Sequence, residues 1–163
     1  MKKYDLIIVG GCAAGLIAAI NAKRLHSEMS VAILEKLPRI GKKLLATGNG
    51  KCNLTNEYAL THGYVNRDFA SEAFTAYPPQ KIIEFFESVG LLCYSDSEGR
   101  VYPESNTATS VVDALRFEIE RLKIDVFCET PVTEIKKQSK GFVINNKFEC
   151  GKLIITTGGK SSP

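Results

Sequence analysis

The first 35 residues constrain this chain more than any other stretch. Tyr4 to Val9 (Y-D-L-I-I-V) has the length and the Ile, Leu and Val content of a short buried strand. A glycine-rich turn follows at Gly10. An alanine-rich segment from about Gly15 to Leu25 predicts a helix, and Ser30 to Leu34 (S-V-A-I-L) predicts a second buried strand. Continuous apolar strands joined through a helix imply a parallel sheet with both faces covered.

The turn between the first strand and the helix reads Gly10-Gly11-Cys12-Ala13-Ala14-Gly15. In a G-x-G-x-x-G turn the first glycine makes the bend, the second lets backbone approach a pyrophosphate, and the third lets helix and strand pack closely. Phosphates then sit at the helix N-terminus, held by N–H groups without intrahelical partners and by the helix dipole. Glu35 ends the second strand, twenty residues past Gly15, where an acidic side chain hydrogen-bonds an adenosine ribose. A free 2′-hydroxyl suits Glu35 and a 2′-phosphate would be repelled, so FAD or NAD fits the spacing. The plainer reading is a packing turn followed by a surface glutamate.

Cys12 stands where the pattern has its second glycine. A side chain there crowds the approach of a pyrophosphate. Either binding survives with displaced phosphates and lower affinity, or Cys12 is a reactive thiol at a helix N-terminus.

Beyond Glu35, residues 36–67 have no sustained period and carry Gly41, Gly48, Gly50 and Gly63, which predicts a long loop. Pro78 and Pro79 open a helix with Ile82, Ile83, Phe85, Phe86 and Val89 apolar and Gly90 at its end. Leu91–Tyr94 and Arg100–Tyr102 form a hairpin, with Arg100 and Tyr102 either lining a site or facing solvent. Thr107 to Leu122 is an amphipathic helix with Val111, Val112, Leu115, Ile119 and Leu122 on one face. After a strand at Ile124 to Cys128, three short strands follow at Val132–Lys137, Gly141–Asn145 and Lys147–Cys150. A final strand, Lys152–Thr156, runs into Thr157-Gly158-Gly159. A three-stranded meander thus replaces a crossover helix.

Composition is that of an ordinary globular domain, 44% apolar and 24% charged, and a formal net charge of +3 gives little reason to expect nucleic acid or an anionic membrane as partner. The apolar run after Met1-Lys2-Lys3 imitates a signal peptide, but Asp5, Gly10, Gly11 and Gly15 interrupt it. Five cysteines with no C-x-x-C pair argue against a disulfide framework or a zinc site, and for reduced thiols in a cytoplasmic protein. His26 ends a helix and His62 has no context, so neither suggests a catalytic pair.

Residues 41–56, G-K-K-L-L-A-T-G-N-G-K-C-N-L-T-N, combine glycines, neutral polar groups and lysines, as suits a ligand carrying phosphates and a polar heterocycle, or a solvated surface loop. Together with G-R-V-Y-P-E-S-N at 99–106 and I-I-T-T-G-G-K-S at 154–161, this loop resembles one bacterial flavoprotein family. That family is called aminoacetone-oxidase-like or bile-acid-reductase-like, and its members are NAD(P)/FAD-dependent oxidoreductases of the two-dinucleotide-binding-motif type.

The resemblance implies an α/β fold: a Rossmann-like parallel sheet with helices and the β-meander crossover, as in glutathione-reductase-like FAD-binding domains. Residues 1–163 would be the N-terminal part of the FAD-binding domain, cut short before a substrate domain and a C-terminal return to the flavin. By the same resemblance Gly10, Gly11, Cys12, Ala13, Ala14 and Gly15 hold the FAD pyrophosphate and Glu35 the ribose. Lys36, Lys42 and Lys43 lie near phosphates or ribose, and Asn49, Gly50 and Asn53 near the ribityl chain or flavin ring. Val132 meets adenine through its backbone, and Thr156, Thr157, Gly158 and Gly159 form a second turn beside the cofactor. The expected activity is hydride transfer through FAD, with NAD(P)H as candidate donor and a small-molecule substrate. No catalytic acid or base stands out. A non-catalytic nucleotide-binding module is the alternative, and an RNA-directed flavoprotein is disfavoured by the charge.

Overall fold

The computed structural model describes residues 1–59 and 67–159, so His62, Gly63, Lys160 and Ser161 lie outside it. The chain gathers into two compact units: Met1–Lys43 with Leu115–Pro163, and Leu44–Ala114.

The first unit is built on a six-stranded sheet. Its elements are β1 (Lys2–Val9), α1 (Ala13–Leu25), β2 (Val31–Leu34), β6 (Asp125–Phe127), β7 (Ile135–Gln138), β8 (Gly141–Ile144) and β9 (Phe148–Ile155). The strand order is β6-β2-β1-β9-β8-β7. β1 lies between two parallel neighbours, with Ile7 opposite Ala32 of β2 and Leu153 of β9. β2 pairs in parallel with β6, whereas β7, β8 and the start of β9 are antiparallel.

Alternation along β1 decides what each face does. Ile7 joins Ala32, Leu34, Ile144, Phe148 and Cys150 in a core on one face, with Tyr4, Phe127, Val132, Phe142 and Leu153 packed against it. Leu6 and Ile8 point the other way and are equally buried, as are Leu16, Ala19 and Ile20 of α1. Each fully buried Leu or Ile side chain among them contributes about 1.5–3 kcal/mol by leaving water. Tyr4 adds a polar tie: its hydroxyl donates to Asp125 at 2.5 Å, and burial together with that carboxylate raises its pKa.

α1 has no side-chain N-cap, and Lys23 and Arg24 in its last turn suit the negative end of the helix dipole. As expected, His26 ends it, donating its backbone N–H to the Ala22 carbonyl. The C-terminal half of α4 (Ala108–Arg121) belongs to this unit. Its Glu118, 6% exposed, accepts from Arg24 Nε at 2.9 Å and from Arg121 Nε at 2.6 Å. The Arg121 hydrogen bond holds the carboxyl below its usual range against the opposing effect of burial, and Arg24 adds to the lowering.

The second unit holds β3 (Thr55–Asn56), α2 (Arg67–Ala76), α3 (Pro79–Ser88), β4 (Cys93–Ser95), β5 (Arg100–Pro103) and the start of α4. The expected hairpin is β4 and β5, with β3 added on the far side of β5. Asp96 shapes its turn, accepting backbone N–H groups from Glu98 and Arg100 and the Arg100 guanidinium at 2.8 Å. Arg100 is also within 3.1 Å of Glu98, and Tyr102 lies against Tyr94 with ring centroids 6.1 Å apart.

Three expectations change. The third meander strand and the final strand are one continuous β9, because Gly151 stays in the strand instead of turning. The first meander strand begins at Ile135, which leaves Val132 in a connecting segment. The stretch from Arg67 to Ala76 is helical, as no part of the sequence reading expected.

Candidate functional site

At the C-terminal ends of β1, β2 and β9, a cavity of about 250 Å³ opens in the first unit. Open α/β sheets bind ligands at that end of their strands. Its lining includes Gly10, Gly11, Cys12, Glu35, Lys36, Lys42, Lys43, Val132, Thr156 and Thr157. The size lies just below the usual range of about 300–1,000 Å³ for small-ligand sites and suits part of a dinucleotide.

The turn out of β1 is held by close packing. Gly10 has φ +107°, and a Cβ there would lie 2.6 Å from the Thr156 carbonyl oxygen. On Gly15 a Cβ would come within 1.9 Å of the Gly10 carbonyl oxygen. These are the bend and the close helix–strand approach that the two positions require. Gly11, which the motif leaves unconstrained, also has no room: a Cβ would meet Ile40 Cγ2 at 2.7 Å. The first helical hydrogen bond runs from Leu16 N–H to the Cys12 carbonyl at 2.9 Å. The N–H groups of Ala13, Ala14 and Gly15 therefore precede the helix's own ladder.

Cys12 is the N-cap, half-buried at φ −111° and ψ −166°, an extended conformation open to any side chain. Cys12 borders the cavity, and its thiol makes no cap hydrogen bond.

Glu35 is the most informative side chain. It is 7% exposed, yet borders the cavity. Oε2 accepts the Gly11 N–H at 2.7 Å and Oε1 accepts the Leu37 N–H at 2.9 Å. Each carboxylate oxygen can accept a second bond, so the backbone fixes the rotamer and leaves acceptor capacity toward the cavity. The Gly41 N–H donates to the Gly11 carbonyl at 2.7 Å, which ties down the loop bearing Lys36, Lys42 and Lys43. All three lysines are exposed at the cavity rim. They supply positive charge beside a helix N-terminus, a setting for an anionic ligand.

Opposite lies the segment after β6, where Thr130 N–H donates to the Glu35 carbonyl at 2.8 Å and Glu129 N–H to the Leu37 carbonyl at 3.0 Å. These bonds bring Val132, half-buried, to the cavity wall. From the end of β9, the Thr156 hydroxyl lies 2.9 Å from the carbonyl oxygens of both Val9 and Gly10, its one proton shared between them. Thr157 borders the cavity, and Gly158 (φ +73°) and Gly159 continue the turn, exposed.

Asn49, Gly50 and Asn53 belong to the second unit and are not among the residues lining the cavity. There, Gly48, Asn49 and Gly50 run in succession with φ of +53°, +52° and +83°, and Asn49, Gly50 and Asn53 are exposed. A Cβ on Gly48 would come 2.6 Å from the Asn53 backbone nitrogen, so the loop folds tightly on itself. Cys52, buried at φ +61°, donates its N–H to the Thr47 carbonyl at 3.0 Å.

All five cysteines are free thiols. Burial pushes Cys128, Cys150 and Cys93 upward in pKa, with Glu35 adding at Cys128, which fits packing more than reactivity. Among the described residues no cluster of His, Cys, Asp or Glu could hold a metal ion, and no helix is long and apolar enough to cross a membrane.

Four parallel strands within the sheet, a glycine turn into a helix and a buried glutamate ending the next strand define a Rossmann-type dinucleotide-binding domain. The chain belongs to the HI0933-like protein Rossmann domain family, whose model matches residues 4–163. It is 41% identical over 160 residues to a 3-dehydro-bile acid delta(4,6)-reductase of Clostridium scindens, an alignment covering 95% of this chain and 39% of that protein. It is 27% identical over 168 residues to a ribosomal RNA dihydrouridine synthase of Escherichia coli, covering 100% of this chain and 41% of the relative. The chain thus spans about two fifths of the length of these curated relatives. Among solved structures, Escherichia coli quinol fumarate reductase superposes with a TM-score of 0.67 at 18% identity, over 98% of this chain and 33% of that one. A flavocytochrome c3 fumarate reductase gives 0.62 at 19% identity, covering 97% and 34%. The fold is the FAD-binding Rossmann-like fold of such oxidoreductases.

Proposed function

We propose that the cavity binds the adenosine and pyrophosphate part of FAD, and that the chain is the cofactor-binding portion of a flavin-dependent oxidoreductase. Glu35 carries this reading. A carboxylate this buried, with one backbone donor on each oxygen and spare acceptor capacity facing a cavity, is arranged for vicinal hydroxyls. The residues present fit the group in other respects: the turn has no side chain at Gly10, Gly11 or Gly15, and Lys36, Lys42 and Lys43 offset phosphate charge.

In this reading the N–H groups of Ala13, Ala14 and Gly15, with the half-buried Cys12 before them, face the pyrophosphate. Val132 bounds the adenine, and Thr157, Gly158 and Gly159 form the wall toward the rest of the cofactor. Asn49, Gly50 and Asn53 are assigned to the ribityl chain or flavin ring through the loop pattern alone. Bound FAD would supply hydride acceptance and donation, with NAD(P)H as the proposed donor.

The curated relatives suggest a substrate class. One is named for reducing a delta(4,6) system in a 3-dehydro bile acid, the other for making dihydrouridine. Both names describe adding two hydrogens across a carbon–carbon double bond. We take a small molecule with a double bond conjugated to a carbonyl as the class to test first, in the cytoplasm, as suits five free thiols.

Titration of the chain with FAD, followed by flavin fluorescence and absorbance, tests the site. Saturable binding at one site per chain is expected, and Glu35→Ala should weaken it about tenfold or more by removing acceptors for ribose and for the Gly11 turn. Absence of saturable binding would overturn the assignment.

A further inference from the structure

The peptide between Gly10 and Gly11 is held at both ends by side chains from the two strands flanking β1. Its carbonyl accepts the Thr156 hydroxyl at 2.9 Å, from the end of β9. Its N–H donates to Glu35 Oε2 at 2.7 Å, at the end of β2. A trans peptide is planar, with C=O and N–H pointing in opposite directions, so these two bonds fix the plane. We infer that Thr156 is a positioning residue for the dinucleotide turn, acting with Glu35 as a two-sided clamp on this peptide.

The packing leaves the clamp little slack. Thr156 is anchored, since its N–H donates to Val9 O at 2.8 Å and its hydroxyl shares the same acceptor. Gly15 opens the space in which the clamp sits: a Cβ there would lie 2.8 Å from Thr156 Oγ1 as well as 1.9 Å from the Gly10 carbonyl. Gly10 in turn has no room for a side chain against the Thr156 carbonyl.

The clamp has an electrostatic consequence. A carbonyl oxygen free to rotate could repel an anion at the helix N-terminus, and the Thr156 hydroxyl holds the Gly10 carbonyl fixed against Gly15. Glu35 meanwhile takes the Gly11 N–H, which leaves the helix's first N–H groups as the phosphate donors. Thr156 thus acts on binding through the turn, in addition to bordering the cavity. Its role in binding rests on the FAD reading above, whereas the clamp itself does not.

Thr156→Val keeps the shape and loses the donor, while Thr156→Ser keeps the donor. Amide hydrogen exchange at Gly11 in the full chain without cofactor reads the clamp directly. Exchange about tenfold faster in Thr156→Val, and near wild type in Thr156→Ser, is expected. FAD affinity should follow the same order, about tenfold weaker in Thr156→Val and restored in Thr156→Ser. Unchanged Gly11 exchange in Thr156→Val, or equal losses in both variants, would overturn the clamp. The exchange contrast among the three chains, with a wild-type chain that binds no FAD, would instead overturn the functional reading.

Discussion

Glu35 and Cys12 stand at opposite ends of what a sequence can disclose about a site. The spacing from Gly15 pointed to Glu35 as a ribose acceptor, and the residue does border the cavity. Its second job, gripping the Gly11 and Leu37 N–H groups, depends on how the chain returns after β2, which no spacing rule encodes. Gly11 shows the same gap: its lack of a side chain is required by Ile40, a residue of the following loop. Cys12 stood out as a departure from the motif, and its extended backbone explains why a side chain is tolerated there. Cys12→Gly should tighten FAD binding about threefold or more, read by the same fluorescence titration, since glycine is also an acceptable N-cap. Unchanged affinity would remove the crowding idea.

Elements were legible where a period or a run of β-branched residues was strong. β1, α1, β2 and α4 follow the apolar pattern within a few residues of the expected bounds. β9 was harder. Gly151 looks like a break between two strands, but β1 pairs with the residues on both sides of it, Tyr4 with Cys150 and Leu6 with Lys152, and that pairing carries the strand through the glycine. α2 was missed although Phe69 and Ala73, and Ala70 and Phe74, have helical spacing, because its residues are mostly exposed and the signal is weak.

The bond from Arg24 to Glu118 was not legible at all, since it joins helices 94 residues apart in sequence, whereas Glu118 and Arg121 are an i,i+3 pair within α4. Their effect has a definite pH sign. A carboxyl with a lowered folded-state pKa stabilises above the unfolded value, near pH 4.3, and loses that contribution as pH falls through the folded value. Glu118→Gln should cost about 1–2 kcal/mol at pH 7, with partial exposure of Arg121 limiting it. The difference should shrink toward pH 3 in urea denaturation. A gap that stays constant with pH would mean that packing, not charge, dominates at Glu118.

At the scale of the whole chain, the first unit is assembled from both ends of the sequence, and β1 joins them by pairing with β2 on one side and β9 on the other. That arrangement brings the ends of three strands to one cavity, so residues as distant as Gly10, Glu35 and Thr156 act on a single turn. Family membership and fold follow from this unit together with the matched relatives. The loop of the second unit, with Asn49, Gly50 and Asn53, was read through resemblance, and its geometry shows a tight left-handed turn. The most direct test is chemical-shift mapping of backbone amides during an FAD titration. The prediction is a perturbed set centred on Gly11 to Gly15, Glu35, Val132 and Thr156 to Gly159. Shifts confined elsewhere, or none at saturating FAD, would contradict the assignment of this cavity to the cofactor.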